Sequence, residues 1–217
     1  QGIIAQYPQW EPPYDEHWCI QQRVEADWAI PTIRVLQDLP PTDVLDLGGG
    51  YGTIAVAAHL LGHRVTVLDL FVPAPEVSGI AWLRGDLQDP DAIPEGPFGV
   101  VVMTEVLEHL SVDPLPVLRS IRARMDHSAW LLGSCPDPDY WPEATPVYAD
   151  DLPAWTPDHQ HPDAHVRLYP QDVLEALLRR AGLRVFACFG IGAMRARYYW
   201  MGRAERYALR YYRTEGE

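Results

Sequence analysis

Three acids and a cluster of glycines carry most of the chemical information in this chain of 217 residues. Val44-Leu45-Asp46-Leu47 is apolar apart from its acid and runs into Gly48-Gly49-Gly50-Tyr51-Gly52-Thr53, after which Ile54 to Leu61 follows a helical pattern. A strand, a tight turn and a helix in that order bring backbone N–H groups and a bare glycine face against a ligand. The spacing restricts the ligand. A dinucleotide fingerprint, G-x-G-x-x-G, needs glycine where Thr53 stands, and here Gly52 comes one residue early. Asp46, two residues before Gly48, would repel a pyrophosphate and attract an ammonium group.

S-adenosylmethionine has an amine on its methionyl end and no phosphate, so it fits this turn better than NAD. Two further acids stand where such a ligand needs them. Arg64 to Asp69 reads as a short strand ending in an acid, with Leu70 next to it. It lies about 20 residues beyond the glycine turn, the distance expected of a ribose contact. Ile80 to Leu87 reads as a third strand ending in Gly85-Asp86-Leu87, where Asp86 could accept from the adenine N6 amine. The glycine turn alone is a weak signal. The ordered set of Asp46, Gly48, Gly49, Gly50, Gly52, Asp69 and Asp86 at successive strand ends is a strong one.

On these residues the chain resembles the class I S-adenosylmethionine-dependent methyltransferases, from about Val44 to Phe189. The likeness continues in Phe98 to Leu110, which looks like the family's fourth strand and its E-V-L-E-H-L signature, and in Ala129 to Ser134 as a fifth strand. It ends in His165 to Tyr169 leading into a helix from Asp172 to Arg180. The subgroup is similar to the ubiquinone-pathway O-methyltransferases. The resemblance implies S-adenosylmethionine as cofactor and S-adenosylhomocysteine as product. It also implies that Asp46 lies near the methionyl amine, Asp69 with Leu70 at the ribose, and Asp86 with Leu87 at the adenine. Thr104 closes the fourth strand beside the cofactor.

These side chains need a scaffold, and the alternation of strands and helices predicts an α/β fold. The expected form is a Rossmann-like doubly wound sheet of about seven mostly parallel strands, with ligands at the carboxyl ends. Residues 42–217 are expected to form this core, with Leu183 to Ile191 and Ala196 to Met201 completing it. Residues 1–41 read as an aromatic helical lid, helical from about Asp15 to Asp38, with a break at Pro31. Residues 135–165 hold seven prolines, seven acids and no arginine among several aromatics. This segment is expected to cap the acceptor site. Residues 195–217, rich in arginine and tyrosine, are expected to form a final strand and helix packing on the sheet edge, or a homodimer contact.

Composition narrows the partners. All 17 basic residues are arginine, and the formal net charge is −13. From Arg179 onward nine arginines face three glutamates, a net of +6, so the rest of the chain carries −19. An acidic body disfavours duplex DNA or a long RNA as substrate. No apolar run approaches the ~18 residues of a membrane helix. Gln1 to Trp10 lacks the features of a signal peptide. Cys19, Cys135 and Cys188 form no C-x-x-C pair, which suggests a reducing cytoplasm.

The acceptor side is less constrained. Glu105, His109 and His165 are the candidate catalytic groups, since a hydroxyl acceptor must lose its proton. No metal ligand is assigned. Glu105, Glu108, His109 and His165 together could form a divalent site, as similar patterns do in small-RNA 2′-O-methyltransferases and ubiquinone-pathway enzymes, for a catechol, diol or RNA-terminus acceptor. The Asn/Asp-Pro-Pro-Tyr/Phe turn of adenine-modifying enzymes is absent; Met103-Thr104-Glu105-Val106 stands there. The favoured reading is O-methylation of a small-molecule or sugar hydroxyl. The reading from another class is a non-catalytic adenosylmethionine-binding partner protein.

Overall fold

The computed structural model describes residues 28–70, 77–136, 167–191 and 197–203. Helix α1 covers residues 28–38. It is followed by β1 (Asp43–Leu47), α2 (Thr53–Leu60), β2 (Arg64–Asp69), β3 (Ile80–Arg84) and β4 (Phe98–Thr104). A 3₁₀ turn (Leu107–His109) leads to α3 (Pro114–Ala123), β5 (Met125–Pro136), α4 (Gln171–Arg180), β6 (Arg184–Ile191) and β7 (Arg197–Arg203). The seven strands form one sheet in the order β3-β2-β1-β4-β5-β7-β6. Strands β1 to β5 pair in parallel, and β7 runs antiparallel to both of its neighbours. The chain winds outward from β1 to β3, then returns to place β4 on the other side of β1. The crevice between β1 and β4 is therefore the switch point where α/β sheets bind ligands.

Alternation along the strands divides the core into two faces. Leu45 and Leu47 of β1, Val101 and Met103 of β4, and Leu131 of β5 pack with α3 and α4. Val44, Val100, Val102 and Leu132 pack with α1 and α2 on the opposite face. A register shift between Phe98 and Val100 puts Phe98 on the same face as Val101 and Met103. Helix α3 starts where it does because the Asp113 carboxylate accepts from Leu115 N–H at 2.9 Å and Pro114 stands in the first turn. Helix α2 has no such cap and relies on apolar burial instead, from Ile54 through Ala58. Complete burial of a leucine or valine stabilises by about 1.5–3 kcal/mol.

Two expectations need correction. Pro31 does not break α1, which runs through it to residue 38. A proline removes one N–H from the ladder, and here the neighbouring Thr32 hydroxyl adds a bond to the Trp28 carbonyl at 2.8 Å. The last strand is not at the sheet edge either. β7 pairs with β5 from Trp130↔Arg203 to Pro136↔Arg197 and with β6 from Arg184↔Arg203 to Ile191↔Arg197. The connection through α4 carries the chain past one strand position, and β7 fills the gap from the far side. Among the described residues no helix is long and apolar enough to cross a membrane. Most of the expected capping segment, 137–165, and the end of the basic segment, 204–217, lie outside the described residues.

Candidate functional site

The glycine turn folds over the end of β1 in a way that its residues dictate. Gly48, Gly50 and Gly52 all have positive φ (67°, 52° and 81°), a region costly for side chains with a Cβ. Gly48 N–H donates to Leu68 O and Gly52 N–H to Gly49 O, both at 2.8 Å, closing the turn against β2. Gly52 is the N-cap of α2, and a Cβ there would overlap the Trp82 ring of β3. A Cβ on Gly50 would meet nothing within 4 Å.

A cavity of about 190 Å³ opens at this turn. Its floor is Asp46 with Gly48, Gly49 and Gly50; Tyr51, Thr53 and Ile54 continue the wall into α2. Thr104 and Glu105 enter from the end of β4, and Trp28 and Ala29 from α1. Among the described residues the lining side chains include two carboxylates, Asp46 and Glu105, and no arginine, lysine or histidine.

Asp46 is the most unusual group here. Only 2% exposed, it sits under Gly49, where an added Cβ would lie 3.1 Å from Asp46 Oδ2. Among the described residues, Oδ2 is buried without a hydrogen-bond partner. Burial first, then the negative charge of Asp69, raises its pKa to about 7, against a smaller lowering by the Ala55 N–H of α2.

Glu105 is held differently. Its φ of 53° makes it a non-glycine residue in the left-handed region, a conformation that costs on the order of 1 kcal/mol and clusters at functional sites. Ser134 of β5 secures it twice: the Ser134 hydroxyl donates to Glu105 Oε1 at 2.8 Å, and Glu105 N–H donates to Ser134 O at 3.0 Å.

The other expected residues are placed as follows. Asp69 ends β2, and its Oδ2 accepts from Gly50 N–H at 2.9 Å, so the second acid braces the glycine turn. Leu70 beside it is exposed. Strand β3 stops at Arg84, earlier than expected, and Asp86 stands in the turn beyond it. There Asp86 Oδ1 accepts from Gln88 N–H at 2.9 Å. Leu87 packs into the core with the α3 and α4 face. Its side chain alternates away from Asp86 and finds apolar neighbours. Thr104 reaches the cavity.

Glu105, Glu108 and His109 do not converge. The 3₁₀ turn begins after Glu105, whose left-handed backbone breaks the helical phase. Glu108 is wholly buried, within electrostatic range of Tyr169, and Arg167 N–H donates to its backbone carbonyl at 3.2 Å. His109 Nε2 lies 3.8 Å from Glu108 Oε1 rather than beside the cavity. His165 is outside the described residues. Among the described residues no group of three His, Cys, Asp or Glu side chains is arranged to hold a metal ion. Sequence reasoning missed Trp28, Tyr51 and Ser134 as site residues. Tyr51 stands between two glycines of the turn, a signal within reach, whereas nothing local marks Trp28 or Ser134.

Comparison with known proteins agrees with the fold. A family model described as a methyltransferase domain matches residues 20–187. The ubiquinone biosynthesis O-methyltransferase of Xanthomonas campestris pv. campestris (strain B100) is 35% identical over 94 residues, 38% of this chain and 38% of the relative. The chain thus matches well under half the length of that curated relative. The 1,6-didemethyltoxoflavin-N1-methyltransferase of Burkholderia thailandensis was crystallised with 1,6-didemethyltoxoflavin and S-adenosylhomocysteine. It superposes with a TM-score of 0.64 at 19% identity, over 94% of this chain and 86% of that one. A SAM dependent methyltransferase from Aquifex aeolicus gives 0.60 at 16% identity, over 92% and 97%. With the family match spanning most of the core and the sheet order in agreement, the chain belongs to the methyltransferase domain family, the S-adenosylmethionine-dependent methyltransferases of class I fold.

Proposed function

We propose that this protein transfers the methyl group of S-adenosylmethionine to a hydroxyl of a small molecule, with S-adenosylhomocysteine as the second product. The observation that carries the cofactor reading is the buried, unpartnered Oδ2 of Asp46 beneath the glycine turn. A lone buried carboxylate is costly, and a hydrogen-bonded cation offsets that cost. An ammonium group in the cavity satisfies Oδ2 and returns Asp46 to its ionised form. The two lining carboxylates, Asp46 and Glu105, suit the same ligand and disfavour a phosphate.

When bound, the cofactor supplies a sulfonium methyl, electrophilic without further activation. The protein's work is then alignment and proton removal. Asp46 holds the methionyl amine, and Gly48, Gly49, Gly50 and Gly52 allow close approach of the backbone. Asp69 accepts from the ribose hydroxyls with Leu70 packing beside them, Asp86 accepts from the adenine amine, and Thr104 lines the methionyl end. Glu105, fixed by Ser134 at the cavity wall, would take the proton of the acceptor hydroxyl. His165 serves the acceptor side, while His109 stands beside Glu108. Residues 1–41 act as a lid, a reading supported by Trp28 and Ala29 in the cavity wall. Oxygen as the acceptor atom is supported by the partial likeness to the Xanthomonas O-methyltransferase. A small acceptor suits the net charge of −13. A divalent site from Glu105, Glu108, His109 and His165 has less support, since among the described residues no three such side chains are arranged to hold a metal ion.

Calorimetric titration with S-adenosylmethionine and S-adenosylhomocysteine tests the cofactor. Micromolar binding is expected, and no binding to either refutes it. Mass spectrometry of a panel of phenols, catechols and sugars, incubated with enzyme and cofactor, tests the acceptor. Methylation confined to amines in a matched panel refutes the O-methyl reading.

A further inference from the structure

One side chain ties the turn after β3 to the turn after β4. Besides the backbone bond from Gln88 to Asp86 Oδ1, the Gln88 amide nitrogen lies 3.3 Å from Oδ1 and 3.5 Å from Oδ2 of the same carboxylate. The amide oxygen accepts three donors: Ser111 N–H at 2.8 Å, Ser111 Oγ–H at 2.6 Å and Val112 N–H at 3.2 Å. These partners settle which end of the amide is which, because three donors demand the oxygen and a carboxylate demands the nitrogen. The same segment is gripped from its other side by Arg167, only 3% exposed. Its guanidinium donates to the carbonyls of Leu110 at 2.9 Å, Ser111 at 3.4 Å and Val112. The donors of Ser111 and Val112 end on Gln88 and the carbonyls of Leu110, Ser111 and Val112 on Arg167, so the Gln88 amide is anchored to the core.

The consequence falls on Asp86. Its Oδ1 is engaged by the turn, while Oδ2 meets the Gln88 amide only at 3.5 Å, beyond a good hydrogen bond. We propose that Gln88 is a positioning residue for purine recognition. By clamping Asp86 Oδ1 it presents Oδ2 as an acceptor for the exocyclic amine of adenine, and against hypoxanthine, whose O6 would face the carboxylate with no proton between them. This rests on the reading of the site as an S-adenosylmethionine site with Asp86 at the base.

The test is calorimetric titration of S-adenosylhomocysteine and its hypoxanthine counterpart, S-inosylhomocysteine, into wild type, Gln88→Glu and Asp86→Asn. Gln88→Glu keeps an oxygen for Ser111 and Val112 and the backbone donor to Asp86 Oδ1, but replaces the side-chain donor with a carboxylate oxygen that repels Asp86. Wild type is expected to prefer adenine by about tenfold or more, the worth of one charge-assisted hydrogen bond. Gln88→Glu should bind S-adenosylhomocysteine about tenfold more weakly, with the preference reduced to within about threefold. Asp86→Asn, which offers an amide donor, should shift the preference toward hypoxanthine. A purely structural Gln88 would lower melting temperature and both affinities together and leave the ratio unchanged, which overturns the proposal. So does an unchanged preference in Asp86→Asn. If Gln88→Glu does not fold, Gln88→Met is read by the same ratio. Wild type that binds S-adenosylhomocysteine without discriminating overturns the proposal alone; wild type that binds neither ligand overturns the cofactor reading beneath it.

Discussion

Asp46 is an acid kept where water does not reach. Its pKa in the native state, about 7, stands above the ordinary 3.8, so the unliganded native protein holds a proton that the unfolded chain releases. Stability from this group is complete below about pH 4, declines as pH rises through the interval to 7, and is absent above it, a difference on the order of 4 kcal/mol. Asp46→Asn removes that titration. The unliganded variant should melt above wild type at pH 8, lose the advantage near pH 4, and bind S-adenosylhomocysteine at pH 8 at least tenfold more weakly, by roughly the loss of one charged hydrogen bond. Melts at the two pH values check the first part and calorimetry the second. Glu105 makes the complementary case. Glu105→Gly relieves the left-handed backbone, so its stability in urea should stay within about 1 kcal/mol of wild type. Turnover should fall by about 10²–10⁴-fold, the usual worth of a general base. Equal loss of stability and turnover would make Glu105 a structural residue only.

At the scale of elements, the glycine turn shows two uses of the same residue type. Gly52 is needed by the fold. A Cβ there takes a φ of 81° and displaces Trp82, so Gly52→Ala is expected to cost about 2–4 kcal/mol. Gly50 lines the cavity, and its expected role is toward the ligand. Its φ of 52° is strained for alanine, but nothing lies near the new methyl, so Gly50→Ala should cost about 1 kcal/mol and depress cofactor affinity far more. Thermal melts paired with calorimetry separate the two. Strands β1, β2, β4 and β5 were legible because apolar runs and turn glycines are local signals, and α4 because Val173, Leu174, Leu177 and Leu178 recur at helical spacing. Pro31 misled, because a proline marks a helix break on average and tertiary packing carried α1 through it. In the E-x-x-E-H turn the left-handed Glu105 lines the cavity while Glu108 is buried, and His165, the distant member of that set, lies outside the described residues.

The whole molecule is held by strand order as much as by strand identity. Among the described strands β6 pairs only with β7, and β7 joins it to β5. Truncation before residue 197 should therefore expose Leu131, Leu183 and the edge of β5 and abolish cooperative unfolding, as followed by circular dichroism in urea. A truncated chain that still unfolds in one sharp transition would show β7 to be dispensable. The sequence by itself determined an α/β sheet, a glycine turn wrong for a dinucleotide, and acids in the order Asp46, Asp69, Asp86, because strand period and turn chemistry are written in neighbouring residues. Only the tertiary structure decided that Asp46 Oδ2 is buried without a partner, that Trp28 reaches the cavity, that Gln88 ties Asp86 to Ser111, and that β7 lies inside the sheet. Each of these depends on contacts between segments far apart in the chain, which compete for the same space and hydrogen bonds and leave no periodic trace in the sequence.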